Sequence, residues 1–357
     1  MIKYLGDTGV ILAIVFVLLT AIYLLVLFIL MLRFFKQAKE QIEKNFIRRW
    51  EERIFKYLAT EEDPVKVLKH FNRYRYKNLL LFLRNYILTL KGKDKDKLLH
   101  LINDTELYEY LIAQLNSIRK RKLTFGAYFL GLAQSKKAIG ELRKKLKSRN
   151  EFVFVSCAIS LAKIDAEETL DEIFTEAHKF ERLSQETFQS ILLEFNDSIC
   201  SLLLKRLNIE TSDELKTMII STLRHFKYFP PQSDTLLILL NDENDKIVIE
   251  VLKYFGEIED IDASSKIIIH LQNPNPDIKV EAIKAIQKIG DTRLERKIWR
   301  LLYNNNHNVK VTAAEAMYDF SDESREKLKS IEYSSPGTLE SSIAKMIIEE
   351  RAIQSYR

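Results

Sequence analysis

The chain has few of the residues that make turns: 9 glycines and 6 prolines occur among 357 residues. A sheet protein with many tight turns needs more of both, because glycine supplies positive φ angles and proline presets φ within the turn. Leu, Ile, Lys and Glu dominate the composition instead. The scarcity of turn residues therefore predicts an all-α fold.

Cysteine is also scarce, and the two that occur, Cys157 and Cys200, form no CxxC pair. Each lies beside apolar residues, with no histidine near it in the sequence. Free cysteine behaves as a small apolar residue in a protein core. We therefore expect two buried thiols and a reducing compartment.

Motifs that assemble a catalytic or nucleotide site are missing. The chain contains no GxxxxGK[ST], GxGxxG, HExxH or GxSxG. Asp242, Asp245 and Asp260 lie among turn residues, but the spacing of a calcium loop is absent, and helix capping explains these carboxylates better. We expect no catalytic residue, no metal site and no cofactor, and hence a binding protein and not an enzyme.

The positive feature of the sequence is a repeat of about 31 residues, which is carried by apolar anchors. The first anchors follow one another at steps of 31 residues, and the last four steps are 29, 34, 31 and 31. The anchors are Leu68, Leu99, Leu130, Leu161, Leu192, Leu223, Leu252, Ile286, Met317 and Ile348. A fixed period between 20 and 50 residues is typical of a solenoid, in which each repeat buries its apolar face against its neighbours.

Each of the first nine anchors has an apolar partner three residues later, such as Phe71 after Leu68, which indicates a helix. A second ladder with the same step lies between the anchors. It consists of Leu80, Leu111, Leu142, Ile173 and Leu204. Two ladders of one period predict two helices in every repeat, and the repeat fills nearly the whole chain after residue 60.

The residues before the repeat predict a membrane anchor. No charged residue occurs from Val10 to Leu32, and a helix of these 23 residues is about 34 Å long, enough to cross a bilayer. A cleaved signal peptide is the alternative, but the apolar run is too long and no small-x-small site follows it. We therefore expect a transmembrane helix over 10–32.

Charge on either side of this span predicts its orientation. Six Lys and Arg residues follow it between 33 and 49, whereas Lys3 and Asp7 cancel in the short 1–9 segment. By the positive-inside rule the N-terminus lies outside the cell membrane and the solenoid of this single-pass protein is cytoplasmic. Apolar residues at four-residue steps predict an amphipathic juxtamembrane helix over 33–60, and the solenoid follows over 61–357.

The stretch from Pro276 to Asp291 resembles the inner helix of HEAT-type repeats, in particular the short kind that phycobilin lyases also contain. Asn308 to Met317 repeats the pattern, and Val248 to Gly256 is a third copy. Ala282, Ala285, Ala313 and Ala316 are the small residues that closely stacked helix pairs need. The resemblance implies a right-handed α-solenoid of about nine to ten HEAT-like helix pairs.

Most HEAT-repeat proteins are curved binding surfaces for proteins or nucleic acids, so the resemblance implies an interaction scaffold. Iron-dependent hydroxylases of this fold use His-Glu dipeptides, and no histidine here is followed by glutamate. Phycobilin lyases and DNA glycosylases are not usually anchored in membranes. The resemblance to these enzymes is therefore one of repeat and not of site.

Charge is strongly segregated along the chain. Residues 33–150 carry a net charge of +16, and residues 151–357 carry −11. Three clusters stand out in the basic half, at or near repeat turns. They are Arg73, Arg75 and Lys77; Arg119, Lys120, Arg121 and Lys122; and Lys136, Lys137, Lys144 and Lys145 with their neighbours.

These clusters have three interpretations. Solvated helix ends beside an anionic lipid surface are the simplest. Recognition of an anionic ligand or acidic partner is the second, because Arg alternating with Tyr74 and Tyr76 stacks on planar groups and forks onto phosphates. Nucleic acid is the least favoured partner, since the membrane span and the acidic half argue against it.

Together these features predict a membrane-anchored scaffold that docks or regulates a membrane-associated enzyme complex, such as a polysaccharide-synthesising glycosyltransferase. A short stalk would hold the basic end of the solenoid at the bilayer, so its protein partner is expected there too. The alternative is a sensor in which Arg73, Arg75 and the 119–122 cluster bind an anionic nucleotide or lipid head group.

Overall fold

The computed structural model describes residues 16, 20, 23–31, 33–34, 46–60, 62–180, 183–230, 234–334 and 336–355. All regular elements within these residues are helices. Contacts divide the chain into two compact units, residues 1–135 (unit 1) and residues 136–357 (unit 2).

The described helices of unit 1 are α1 (46–59), α2 (Pro64–Leu68), α3 (Tyr76–Thr89), α4 (Lys93–Asn103), α5 (Glu106–Leu115) and α6 (Lys120–Leu132). Those of unit 2 are α7 (Ile139–Leu146), α8 (Glu151–Ile164), α9 (Leu170–Ala177), α10 (Gln185–Leu192), α11 (Cys200–Leu207), α12 (Asp213–His225), α13 (Asp234–Leu239), α14 (Asp245–Ile258), α15 (Ser264–Ile267), α16 (Pro276–Ile289), α17 (Glu295–Trp299), α18 (His307–Phe320), α19 (Asp322–Ser334) and α20 (Leu339–Ser355).

The two apolar ladders occupy alternate helices. Anchors of the first ladder lie on α2, α4, α6 and the even-numbered helices up to α20, and all but the half-buried Ile348 are buried. The second ladder lies on α3, α5, α7, α9 and α11. Only its member Leu204 is half-buried, because Leu203 and Leu207 are the residues of α11 that face the protein core. The predicted all-α repeat with two helices per unit of sequence is confirmed.

Side-chain hydrogen bonds between successive repeats follow the same period of about 31 residues. Asn196 Nδ2 donates to Asp165 Oδ2, and Asn244 Nδ2 donates to Asp213 Oδ2, both at 2.7 Å across 31 residues. Asn275 bonds to Asp245 in the same way, again at 2.7 Å. Asn244 and Asn275 also cap α14 and α16, so one side chain both starts an even-numbered helix and joins it to the even-numbered helix before it.

Small residues allow the even-numbered helices of unit 2 to stack closely, as the sequence predicted. In unit 2, α12, α14, α16 and α18 pack on one another in order. A Cβ atom added at Gly256 of α14 would lie 2.9 Å from Ala285 Cα of α16, closer than packed atoms allow. Ala282, Ala313 and Ala316 are fully buried.

An ion-pair triad also connects the repeats of unit 2. Glu257 at the end of α14 pairs with Lys288 Nζ of α16 at 2.7 Å and with Lys227 Nζ, just after α12, at 2.9 Å. Hydrogen bonds from Lys288 and then Lys227 lower the pKa of Glu257 to about 2. The triad contributes fully to stability when the pH is above the pKa of glutamate in the unfolded chain, about 4.3. This contribution is lost as the pH falls through the lower pKa of Glu257 in the folded protein.

We therefore expect Glu257→Gln to reduce the free energy of unfolding by about 1 kcal/mol near neutral pH, as for a partly exposed ion pair. The difference from the unmodified protein should shrink as the pH falls from 5 towards 2. Urea unfolding at several pH values measures it. Glu243→Gln, at an exposed position outside the ion pairs of the described residues, is the matched control. A Glu257→Gln difference that stays constant down to pH 2 would contradict the triad.

Both cysteines are buried free thiols, as predicted. Burial is the largest cause that raises the pKa of Cys157 and of Cys200, in each case to about 12. Each thiol is therefore protonated at neutral pH and packs as an apolar side chain.

The predicted membrane anchor is not supported. Most of 10–32 lies outside the described residues. Among the described residues, no helix is both long enough and apolar enough to span a bilayer, which takes about 20 residues. The prediction of a single-pass protein of the cell membrane, N-terminus outside and solenoid cytoplasmic, is contradicted.

The predicted juxtamembrane helix over 33–60 is described mainly from residue 46 onwards, where α1 runs to residue 59. Its inward-facing residues Trp50, Ile54 and Tyr57 are buried in unit 1. The described part of this helix is therefore a packed element of unit 1. The continuous solenoid over 61–357 and its right-handedness stay predictions.

Candidate functional site

The first basic cluster lies in a 3-10 turn, Arg73–Arg75, between α2 and α3. Asn72 Oδ1 accepts a hydrogen bond from Tyr74 N at 2.9 Å and so begins the turn. Three residues complete a 3-10 turn, so successive side chains point in different directions. Arg73 and Tyr74 are exposed, Tyr74 almost completely at 97%, whereas the Arg75 guanidinium lies 3.7 Å over the ring of Phe46.

The second cluster lies at the start of α6, which packs against α5. Ser117 Oγ accepts a hydrogen bond from Arg119 N at 3.3 Å in the short connection. Arg121 and Lys122 are exposed in the first turn of α6, and Phe125 follows them on the same face at helical spacing.

The structure brings these two clusters together in one open groove of about 770 Å³, here called the basic groove. Its lining residues are Arg73, Tyr74, Lys77, Tyr110, Gln114, Arg121, Lys122 and Phe125. Four of them are cations, three are aromatic and none is a carboxylate. Arg75, Arg119 and Lys120 do not line it, although they belong to the predicted clusters.

Tyr110 connects the groove to the core of unit 1. Its ring packs edge-on against Tyr76 with the ring centres 5.9 Å apart, and Tyr76 Oη donates to Glu106 Oε2 at 3.4 Å. Burial raises the pKa of the Tyr110 hydroxyl above its ordinary value. The hydroxyl therefore stays protonated and can donate a hydrogen bond to an anion.

Helix packing holds the two sides of the basic groove in place. Arg84 Nε of α3 donates to Tyr128 Oη of α6 at 2.7 Å. Gly126 lets α6 approach α5 until the backbones touch, since a Cβ atom there would lie 2.6 Å from Leu115 N. Both contacts lie within one or two turns of the groove.

Sequence reasoning missed Gln114 and Phe125. The available signal was helical spacing, because Gln114 follows Tyr110 by four residues and Phe125 follows Arg121 by four. Neither residue belongs to a charged run, so nothing in a search for basic clusters selects them.

The third predicted cluster lies in unit 2, at the 3-10 segment Lys136–Ala138 and in α7. Lys136, Lys137 and Lys144 are exposed, and Lys145 is half-buried. Lys144 Nζ pairs with Glu141 Oε1 at 2.6 Å, and Arg143 donates from Nε to Glu172 Oε2 at 3.1 Å. Part of this cluster is thus neutralised by neighbouring carboxylates.

A second groove of unit 1, of about 440 Å³, lies between α1 and α3 and is here called the apolar groove. It is lined by Ile47, Trp50, Asn78, Leu81, Phe82, Asn85 and Tyr86. The rings of Trp50 and Phe82 meet edge to face at 6.0 Å. Tyr86 Oη donates to Glu51 Oε1 at 3.0 Å. None of these seven described lining residues is charged.

An acidic cleft of unit 2, about 910 Å³, surrounds the start of α14. Asp242 Oδ1 accepts a hydrogen bond from Asn244 N at 2.9 Å, and Asn244 Oδ1 accepts one from Lys246 N at 3.0 Å. Such bonds begin helices. In the part of the chain that the structure describes, no three His, Cys, Asp or Glu side chains lie close enough together to hold a metal ion.

The fold defines a class, the α-helical repeat proteins. No known family model matches the sequence, and no curated protein matches it. One similar solved structure is an engineered protein, with 16% identity and a TM-score of 0.37 over 80% of this chain and 88% of that one. A second is a designed armadillo repeat protein in complex with the peptide (KR)4, with 17% identity and a TM-score of 0.32 over 60% of this chain and 100% of that one. A third is Kap121p, with 11% identity and a TM-score of 0.43 over 86% of this chain and 46% of that one. All three TM-scores are below 0.5.

Proposed function

We propose that this helical repeat protein is an interaction scaffold and that the basic groove of unit 1 docks an acidic segment of a protein partner. The observation that carries the proposal is the concentration of four cations in one groove without a carboxylate among its lining residues. No catalytic step is part of the proposal.

The four cations are available for a partner. Within the described residues, none of Arg73, Lys77, Arg121 and Lys122 forms an ion pair with a carboxylate. Like charges that face one groove repel one another, and an acidic segment relieves that repulsion when it binds. Each arginine has a planar guanidinium group that can donate two parallel hydrogen bonds to one carboxylate.

The aromatic lining adds contact area that charge alone does not supply. Tyr and Arg are enriched at protein interfaces because they combine apolar surface with hydrogen bonding. The nearly fully exposed Tyr74 lies between the arginines of its turn, and Tyr110 and Phe125 lie on packed helices. Because α5 and α6 are in backbone contact, the groove loses little freedom on binding.

A membrane-associated enzyme complex and an anionic lipid surface were predicted as partners because of the anchor. That localisation is contradicted, so neither forms part of the proposal. The charge segregation itself remains, and it favours a partner with acidic residues.

The test is titration of a fluorescent oligoglutamate peptide into the full chain, followed by anisotropy. We expect Arg73→Glu combined with Arg121→Glu to weaken binding at least about tenfold, and added salt to weaken binding of the unmodified protein. The control, Lys91→Glu with Lys93→Glu, makes the same charge change at exposed positions of unit 1 outside both grooves. Equal losses in both variants would mean non-specific attraction and would contradict a docking site.

A nucleoside polyphosphate is a second candidate ligand, favoured by the aromatic rings beside the cations. The groove volume of about 770 Å³ lies within the range of small-ligand sites, about 300 to 1,000 Å³. Calorimetric titration with ATP separates the two candidates. Saturable ATP binding that the Lys91→Glu with Lys93→Glu control keeps and Arg73→Glu with Arg121→Glu abolishes supports the sensor, and no heat above that of dilution excludes ATP as its ligand.

A further inference from the structure

Helix α3 borders both grooves of unit 1. Lys77 in its first turn lines the basic groove, and Leu81 lines the apolar groove. Residues four apart on a helix are surface neighbours, about 6 Å apart along the axis. Both are exposed, as is Asn85 one further turn along. The two grooves therefore meet along one exposed stripe of α3.

The apolar groove presents large apolar side chains to solvent. Leu81 and Ile47 on its rim are 44% and 41% exposed, although both are large apolar residues. The floor is rigid, because Trp50 is buried and packs on Phe82. Asn78 and Asn85 provide the polar groups of its lining on α3. Covering Leu81 and Ile47 would remove apolar surface from water.

We propose that the partner segment is bipartite, with acidic residues that occupy the basic groove and, directly beside them, a large aliphatic residue that occupies the apolar groove. This inference rests on the proposed function and specifies its partner. Charge complementarity determines which end of the segment lies on which groove, because four cations line the basic groove and the described residues that line the apolar groove are uncharged.

A protein segment fits these two grooves better than a second copy paired through the same surface. A two-fold pairing would place the four cations of one copy near those of the other, which is unfavourable. An acidic and aliphatic segment satisfies both surfaces at once. The apolar contact is not screened by salt, so it adds affinity that persists when the charge attraction weakens.

The experiment compares two labelled synthetic peptides with the full chain. One is a run of glutamates, and the other has the same run followed by glycine and two leucines. We expect the second peptide to bind about tenfold more tightly, as burial of one leucine side chain provides, and to retain more of its affinity in high salt. Equal affinities of the two peptides would overturn the bipartite inference.

Variants separate this inference from the proposed function. Leu81→Asn should remove the advantage of the leucine peptide and leave the glutamate peptide unaffected, whereas Arg73→Glu with Arg121→Glu should weaken both. Leu88→Asn is the matched control, since Leu88 is 57% exposed on the same helix and lines neither groove. If the glutamate peptide does not bind at all, the proposed function itself fails.

Self-association is the competing result. Sedimentation of the unmodified chain over a range of concentrations should show no dimer formed through the apolar groove. A dimer that is lost in Leu81→Asn and kept in Leu88→Asn would assign the apolar groove to a second copy and would overturn the partner proposal. Thermal melting confirms that both variants are folded.

Discussion

Gly126→Ala is expected to lower the free energy of unfolding by about 3 kcal/mol, at the upper end of the usual cost of overpacking. A methyl group at this position of α6 would lie 2.6 Å from Leu115 N and 2.8 Å from Leu111 O. Both are backbone atoms of α5, so no side chain can rotate away and the two helices must separate. Because α5 and α6 both line the basic groove, the variant should also bind the oligoglutamate peptide more weakly.

Gly140→Ala is the matched control for this prediction. Gly140 is also a helical glycine, in α7, but a Cβ atom there would meet no atom within 4 Å. Alanine should therefore stabilise the protein by about 0.5 to 1 kcal/mol, because it restricts the unfolded chain. Urea unfolding followed by circular dichroism measures both variants. A similar small change in both would show that α5 and α6 are not in backbone contact.

Leu161→Ala is expected to cost about 2 to 5 kcal/mol, the range observed when a large buried side chain leaves a cavity. Leu161 is a first-ladder anchor in α8, fully buried where α8 packs against α7 and α10. The neighbours on both sides are helices of other repeats, so the cavity cannot close without moving them. The free energy of unfolding from urea titration measures the loss.

Leu204→Ala tests the register of the second ladder in the same unit. The sequence places Leu204 on that ladder, but the structure leaves it half-buried and turns Leu203 and Leu207 inwards. We expect a loss of about 1 kcal/mol, clearly smaller than for Leu161→Ala, since less surface is buried. A loss of unfolding free energy as large as that of Leu161→Ala would show that Leu204 is a core residue, as the sequence predicted.

Local patterns predicted the helices well. The apolar anchors of both ladders lie in helices, and Asp63 begins α2, where its Oδ1 accepts a hydrogen bond from Val65 N. Capping and helical periodicity act within a few residues, so they can be read from the chain. The membrane anchor was inferred from hydropathy alone, and the described residues do not support it.

The two basic clusters of unit 1 show where the sequence was insufficient. Clusters at 73–77 and 119–122 were both visible as charge runs, but their meeting in one groove depends on how α3, α5 and α6 pack. Within each run the side chains have different surroundings: Arg73 faces the groove, while Arg75 lies against Phe46. A charge run does not specify direction, since each residue turns by about 100° to 120° relative to the last.

The sequence by itself determined the class of this protein: an all-helical repeat of about 31 residues with two buried stripes and two buried thiols. These properties depend on which residues are apolar and how far apart they lie. Only the tertiary structure decided which cations share a groove, that an apolar groove adjoins it on α3, and that Gly126 brings the helices together. Those properties depend on the packing of helices from different repeats, which residue spacing along one chain does not specify.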